Sequence, residues 1–248
     1  MSVFSNLNKI INRKGSAYIV LIDPDKKKSD RISETVSIAN QSDVDALFIG
    51  GSLMMDNNLN NRVKNIKKIS KIPLILFPGG VGQLNKYYDA MLFMSVISGR
   101  NPHYLIGEQV IAAPLVKDLN IETIATGYIL VDGGSISTVE FMSGTRPIPN
   151  NRLDIIIAHA LAAQYLGMKA IYLESGSGAK VPITADVVSA LSETINIPII
   201  VGGGIKSPGI ASKLARAGAS FIVTGTIIEQ NTNLMKEIAD SVHWKNND

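Results

Sequence analysis

Short, uninterrupted apolar runs recur along the chain, each closing on Gly, Ser, Asp or Pro. They are AYIVLIDPD (17–25), ALFIGGS (46–52), PLILFPGG (73–80), AMLFMSVIS (90–98), TIATGYILVD (123–132), KAIYLES (169–175), PIIVGGG (198–204) and FIVTGT (221–226). β-Branched runs of this length fit strands buried on both faces, as in a parallel sheet. Most of the intervals read instead with a period near 3.6. RISETVSIANQ (31–41), NNRVKNIKKIS (60–70), YLIGEQVIAAPLVKDL (104–119), RLDIIIAHALAAQYLG (152–167), TADVVSALSETI (184–195), PGIASKLARAG (208–218) and TNLMKEIADSVHW (232–244) are predicted helices. Thr184 and Pro208 stand at helix starts, and Gly167 and Gly218 fall just after helix ends.

Eight strands alternating with helices predict a closed (β/α)8 barrel rather than an open sheet. One link is too short. Only VGQLNKYYD (81–89) separates the third and fourth strands, so the third barrel helix is expected to be missing or irregular, leaving a gap in the outer ring. At 248 residues the chain has the size of one barrel, and no linker, charge block or low-complexity stretch divides it, so residues 1–248 read as a single domain.

Composition narrows the chemistry. The chain has no cysteine, which excludes disulfides, thiolate metal sites and thiol nucleophiles, and points to the cytoplasm. The first twenty residues do not read as a signal peptide, and no stretch approaches the ~18 apolar residues that cross a bilayer. A net charge of +3 suits anionic small substrates, while the absence of a dense basic run argues against nucleic acid. The one basic cluster, Lys26, Lys27 and Lys28, reads first as a solvated loop.

In such barrels phosphate often binds on the loops after strands seven and eight. Here those loops are VGGGIKSPG and VTGTIIEQ, with Gly204 and Gly225 21 residues apart. Gly202, Gly203 and Gly204 permit positive φ and let backbone amides approach an anion, Ser207 and Pro208 open a helix whose N-terminal dipole favours one, and Gly225 with Thr226 adds a close approach and a hydroxyl. The sixth strand ends in YLESGSGAK. Glu174 can bind substrate hydroxyls, with a salt bridge to a neighbouring Lys as the plainer reading. Tyr172 offers a hydroxyl, and Gly176, Ser177 and Gly178 form a donor-rich turn. At the other side of the mouth the first strand ends in IDPDK and the second in GGS. Asp23 and the Ser52 hydroxyl are hard oxygen donors of the kind that suit Mg2+, although an Asp in this setting also makes turns and caps. His103, His159 and His243 have no ligand spacing and read as solvated or core residues.

Taken in order, IDPDK, FIGGS, FPGG, YLESGSGA, VGGGIKSP and VTGT resemble the geranylgeranylglyceryl phosphate synthases, from about Ile22 to Glu229. The length and the stretch FMSGTRPIPNN look more like the longer archaeal and Bacteroidetes group. The resemblance implies a modified (β/α)8 barrel without its third helix. It also implies a Mg2+-dependent prenyltransferase joining the 3-hydroxyl of sn-glycerol 1-phosphate to C1 of a polyprenyl diphosphate, with geranylgeranyl expected, in the first committed step of ether phospholipid biosynthesis. By the same resemblance Asp23 and Ser52 match the Mg2+ positions. Tyr172, Leu173, Glu174, Ser175, Gly176, Ser177, Gly178, Gly203, Gly204, Gly225 and Thr226 match the sn-glycerol 1-phosphate site. Glu174 is the candidate base, Asp23 the second catalytic residue, and Lys26 a candidate helper for the leaving diphosphate. The prenyl tail is expected beside the missing helix, near residues 90–107 and the Tyr87–Tyr88 pair. A homo-oligomer is expected from the apolar helices, and a membrane surface nearby. Two alternatives share the phosphate loops: a sugar-phosphate isomerase or cyclase using Asp23 with Asp132, and a non-catalytic phosphate-binding protein.

Overall fold

The computed structural model describes residues 2–25 and 29–246. Its eight strands are β1 (Ala17–Ile22), β2 (Ala46–Ile49), β3 (Leu74–Leu76), β4 (Ala90–Ser95), β5 (Glu122–Leu130), β6 (Ala170–Glu174), β7 (Ile199–Gly202) and β8 (Phe221–Thr224). They pair in parallel in chain order, and β8 returns to β1 with Phe221 opposite Ala17, closing the barrel. Strand residues alternate between two cores, as a period of two requires. Ile19, Phe48, Leu92, Tyr128, Tyr172 and Phe221 fill the interior. Val20, Ile49, Leu76, Ile129 and Leu173 face the helices instead.

The outer ring comprises α2 (Ser29–Ala39), α3 (Leu59–Ile69), α4 (Glu108–Asp118), α6 (Leu153–Tyr165), α7 (Ala185–Thr194), α8 (Pro208–Arg216) and α10 (Leu234–Val242), each following a predicted period. After β3 there is only a single 3-10 turn, Val81–Gln83, so the expected gap is present. A one-turn π-helix, His103–Gly107, leads into α4 beside that gap. Glu108 clasps the two sides: it accepts from Val81 N at 3.2 Å and lies 2.9 Å from His103 Nε2.

Three helices were not expected from the sequence. The first, α1 (Val3–Lys14), plugs the lower end of the barrel, with Phe4 stacked on Phe221 and Leu7 buried in the interior core. Its first amides, Val3 N and Phe4 N, donate to the Glu122 carboxylate at 2.6 and 3.0 Å. Lys14 ends the helix in a buried ion cluster with Asp45 at 2.8 Å and Asp43 at 3.0 Å, and His243 Nε2 donates to Asp45 at 2.7 Å. Burial raises the Asp45 carboxyl, but hydrogen bonds from His243 and Lys14 outweigh it and hold the group below its ordinary range. The other two, α5 (Thr138–Ser143) and α9 (Thr226–Gln230), are short and stand at the upper mouth. No helix among the described residues is long and apolar enough to cross a membrane.

Candidate active site

The upper ends of the strands surround one cavity of about 970 Å3. Every loop that the sequence marked for chemistry opens onto it. The period of two turns Tyr172 and Glu174 into the barrel and Leu173 outward, where it is fully buried against the helices. Leu173 therefore has no side chain to offer a ligand.

Glu174 is the most unusual group at this end. Only 7% of it is exposed. Gly176 N donates to its Oε1 at 2.7 Å, and the Tyr172 hydroxyl donates to it as well. Burial pushes its carboxyl up to about 7, and those two hydrogen bonds hold it from rising further. A carboxyl in that range exchanges protons at neutral pH. Burial, and then the Glu174 charge, push the Tyr172 and Tyr128 hydroxyls well above their ordinary range, so both are hydrogen-bond groups at neutral pH rather than bases. Phe77, Tyr128 and Tyr172 pack ring against ring beneath the cavity, with centroids 5.1 to 6.4 Å apart.

The glycine loops stack beside Glu174. Gly203 and Gly204 hold φ of +83° and +68°, and Gly176 and Gly178 hold +99° and +71°. Gly203 admits no side chain: a Cβ there would collide with Glu174 Oε1 and lie 2.7 Å from Ser175 Oγ. Ser175 is buried and does not face the cavity. Its hydroxyl donates to Gly203 O at 3.1 Å and ties the sixth loop to the seventh. Ser177 and Thr226 meet through their hydroxyls at 3.1 Å, joining the sixth loop to the eighth. Ser207 caps α8 by accepting from Ile210 N at 3.3 Å, and Pro208 follows. Gly176, Ser177, Gly178, Gly203, Gly204, Gly225 and Thr226 thus enclose one side of the cavity with amides, hydroxyls and a helix N-terminus, the donors an anion needs.

Across the cavity stand Asp23 and Ser52. The Asp23 carboxylate lies against the backbone of Gly51, where a Cβ would come within 2.8 Å of Oδ1, and it accepts from Asp25 N at 3.0 Å. Among the described residues no three His, Cys, Asp or Glu side chains cluster as a metal cage. One or two carboxylate donors beside a hydroxyl and an anion-sized cavity fit Mg2+, which keeps waters and shares substrate phosphates. Lys26 lies outside the described residues.

Sequence reasoning overlooked the roof. Ser137 stands over Gly176, where an added Cβ would lie 3.0 Å from Ser137 Cβ, and Val139 and Met142 of α5 line the cavity. The signal was present as the capping spacing Ser137-x-x-Glu140; Glu140 N donates to Ser137 Oγ at 3.2 Å. On the flank, Met91, Phe93, Met94 and Tyr104 line a smaller cavity of about 80 Å3 in the gap of the missing helix. Tyr88 is buried in the outer core instead, and neither it nor Tyr87 lines that cavity. Asp132 is exposed, accepts from Gly134 N at 2.8 Å and does not line the main cavity.

The chain is similar to known proteins over nearly its whole length. The model of the PcrB family matches residues 8–242. A geranylgeranylglyceryl phosphate synthase of Chitinophaga pinensis is 45% identical over 239 residues, 95% of each chain. One of Methanosphaera stadtmanae is 38% identical over 246 residues, covering 98% of this chain and all of its own. Among solved structures, (S)-3-O-geranylgeranylglyceryl phosphate synthase from Thermoplasma acidophilum, in complex with its substrate sn-glycerol-1-phosphate, superposes with a TM-score of 0.90 at 32% identity, covering 98% of this chain and 99% of its own.

Proposed function

The chain belongs to the PcrB family, alongside the geranylgeranylglyceryl phosphate synthases, and from that premise we propose how its residues carry out prenyl transfer. The protein is a single-domain prenyltransferase. It joins the 3-hydroxyl of sn-glycerol 1-phosphate to C1 of a polyprenyl diphosphate, forming an ether and releasing diphosphate.

The carrying observation is that a buried carboxyl pushed up to about 7 shares one cavity with a wall of glycine amides and hydroxyls suited to an anion and, facing it, the Asp23 carboxylate and Ser52 hydroxyl suited to a cation. In this reading the amides and hydroxyls of Gly203, Gly204, Gly225, Thr226 and Ser177 hold the glycerol phosphate. That fixes the attacking hydroxyl next to Glu174 and lowers the entropic part of the barrier. Glu174, ionised in part at neutral pH, takes the hydroxyl proton as the oxygen attacks C1. The Tyr172 hydroxyl orients the carboxylate by donating to it. Asp23 and Ser52 would hold Mg2+, which when bound neutralises charge on the departing diphosphate. The prenyl tail leaves the mouth along the gap beside α4, where apolar Met91, Phe93 and Tyr104 are available. The cysteine-free sequence supports a cytoplasmic setting. The exposed Ile106, Val110, Ile111 and Leu115 on and beside α4 support a homo-oligomer.

A sugar-phosphate isomerase would need an acid/base pair facing the same ligand. Asp132 is spent on its own turn outside the cavity, which disfavours it. A mere phosphate binder gains nothing from a carboxyl kept out of water at this cost. The test is transfer of radiolabelled sn-glycerol 1-phosphate to prenyl diphosphates of several lengths, with Mg2+ and with EDTA. Ether product that disappears with EDTA is expected. Absence of product with every donor, or isomerisation of a sugar phosphate, would overturn the assignment.

A further inference from the structure

The rim of the cavity carries apolar side chains that the fold does not cover. Ile136 and Phe141 are 78% and 79% exposed, and Leu53, Met55, Met142 and Val181 also stand in solvent. All six come from the loops and the short helix that follow β2, β5 and β6, the end of the barrel at which the cavity opens. Two of these loops touch. Lys180 N and Val181 N both donate to Gly133 O, at 2.9 and 3.1 Å. Leu53, Met55, Ile136 and Met142 also line the cavity, so an apolar surface runs from its wall to the outer rim. Single exposed apolar residues need no explanation, but a set gathered around one opening marks an interaction surface.

The charges around it favour an anionic partner. Arg146, Lys180 and Lys206 are exposed on the loops after β5, β6 and β7, against the exposed Asp132 and the half-buried Glu140. In sequence, Lys26, Lys27 and Lys28 follow Asp23 and Asp25 after β1, and the chain as a whole carries +3. Apolar side chains flanked by Lys and Arg are the make-up of a surface that rests on anionic lipid.

We propose that this rim docks on the face of an anionic lipid bilayer. Phe141, Ile136 and Val181 enter the headgroup boundary and the basic side chains meet lipid phosphates, so a prenyl diphosphate passes from the membrane into the cavity without crossing water. The inference rests on the prenyl transfer proposed above, because only an amphiphilic donor gives the docking its purpose. A long hydrocarbon tail partitions into lipid, and each added methylene strengthens that preference.

The test reads binding without turnover. The whole protein is floated with vesicles of phosphatidylcholine containing phosphatidylglycerol, and with vesicles of phosphatidylcholine alone. The comparison is the double variant Phe141→Glu, Val181→Glu, neither residue of which lines the cavity. Wild type is expected to float with the anionic vesicles, more weakly with neutral ones, and the double variant to bind the anionic vesicles at least roughly tenfold more weakly. Thermal melting and the rate with water-soluble geranyl diphosphate should stay close to wild type, which separates lost docking from lost folding. Wild type that does not float, or a double variant that floats equally well, overturns the proposal. So does a wild-type oligomer that the double variant dissociates, because the rim is then covered by a second copy. If vesicles bind as expected and prenyl transfer is absent, docking stands and the proposed reaction falls.

Discussion

Replacing Glu174 with Gln should make the protein more stable and nearly inactive at the same time. In the unfolded chain this carboxyl ionises near 4.5, and in the folded one at about 7. As pH rises through that window the unfolded state gives up its proton first. Stability is therefore highest below 4.5 and falls until about 7, above which the loss is complete. At about 1.4 kcal/mol for each pH unit, the loss above neutrality is roughly 3 kcal/mol. A carboxamide does not ionise and keeps an oxygen for Gly176 N, so Glu174→Gln recovers most of that amount at pH 8 and little at pH 4. For a chain of this size that corresponds to roughly 6–12 °C in Tm. The same substitution removes the proton acceptor and should lower kcat/KM by about 10²–10⁴-fold. Thermal melts of both proteins from pH 4 to pH 8.5, beside a pH profile of kcat/KM, read the two effects. Wild type should show an acidic limb close to 7, and the difference in Tm should open across the same interval. Melting curves that run parallel at every pH, or a variant with near-full turnover, would refute the reasoning.

Other substitutions probe the remaining parts. Asp23→Asn should cut turnover by about 100-fold or more and raise the Mg2+ concentration needed for half-maximal rate, while calorimetric binding of sn-glycerol 1-phosphate stays unchanged. Gly203→Ala places a Cβ at φ +83° against Glu174 Oε1 and Ser175 Oγ. It should cost about 1–3 kcal/mol in chemical denaturation and weaken glycerol phosphate binding. Lys14→Met takes the ammonium from the buried Asp45 and leaves it only His243 and Tyr18 N as hydrogen-bond donors. A loss of about 3–5 kcal/mol is expected in denaturant titrations, with KM for both substrates unaltered, because the cluster lies at the end of the barrel away from the cavity.

How much of this was readable from the sequence differs by element. The strands were, because runs such as IVLI and IIV have to be buried on two faces, and their count with the short third link gave a barrel with a missing helix. That Gly203 and Gly204 hold positive φ and that Asp23 and Ser52 line the cavity was legible, because positive φ is a property of glycine and both oxygen donors stand at strand ends. The plug helix α1 was overlooked although Val3, Phe4, Leu7, Ile10 and Ile11 carry helical spacing behind a Ser2 cap; what it packs against, Phe221 and Glu122, is more than a hundred residues away. Helix α5 was missed in the same way. The direction of Leu173 was available from the period of two once Glu174 was placed inward. The rise of Glu174 was not, since it depends on burial that only the closed barrel creates. Likewise nothing local distinguishes Tyr88, packed in the outer core, from Tyr104 at the flank cavity.

The central claim is that two anions occupy opposite walls of one cavity with Glu174 beside the reacting oxygen. A crystal structure with sn-glycerol 1-phosphate, Mg2+ and an unreactive prenyl thiodiphosphate tests it most directly. The account predicts the glycerol phosphate on the amides of Gly203, Gly204 and Gly225, its free hydroxyl at Glu174, and the diphosphate with its metal at Asp23 and Ser52. Both anions on the glycine loops, or a diphosphate bound away from Asp23, would contradict it.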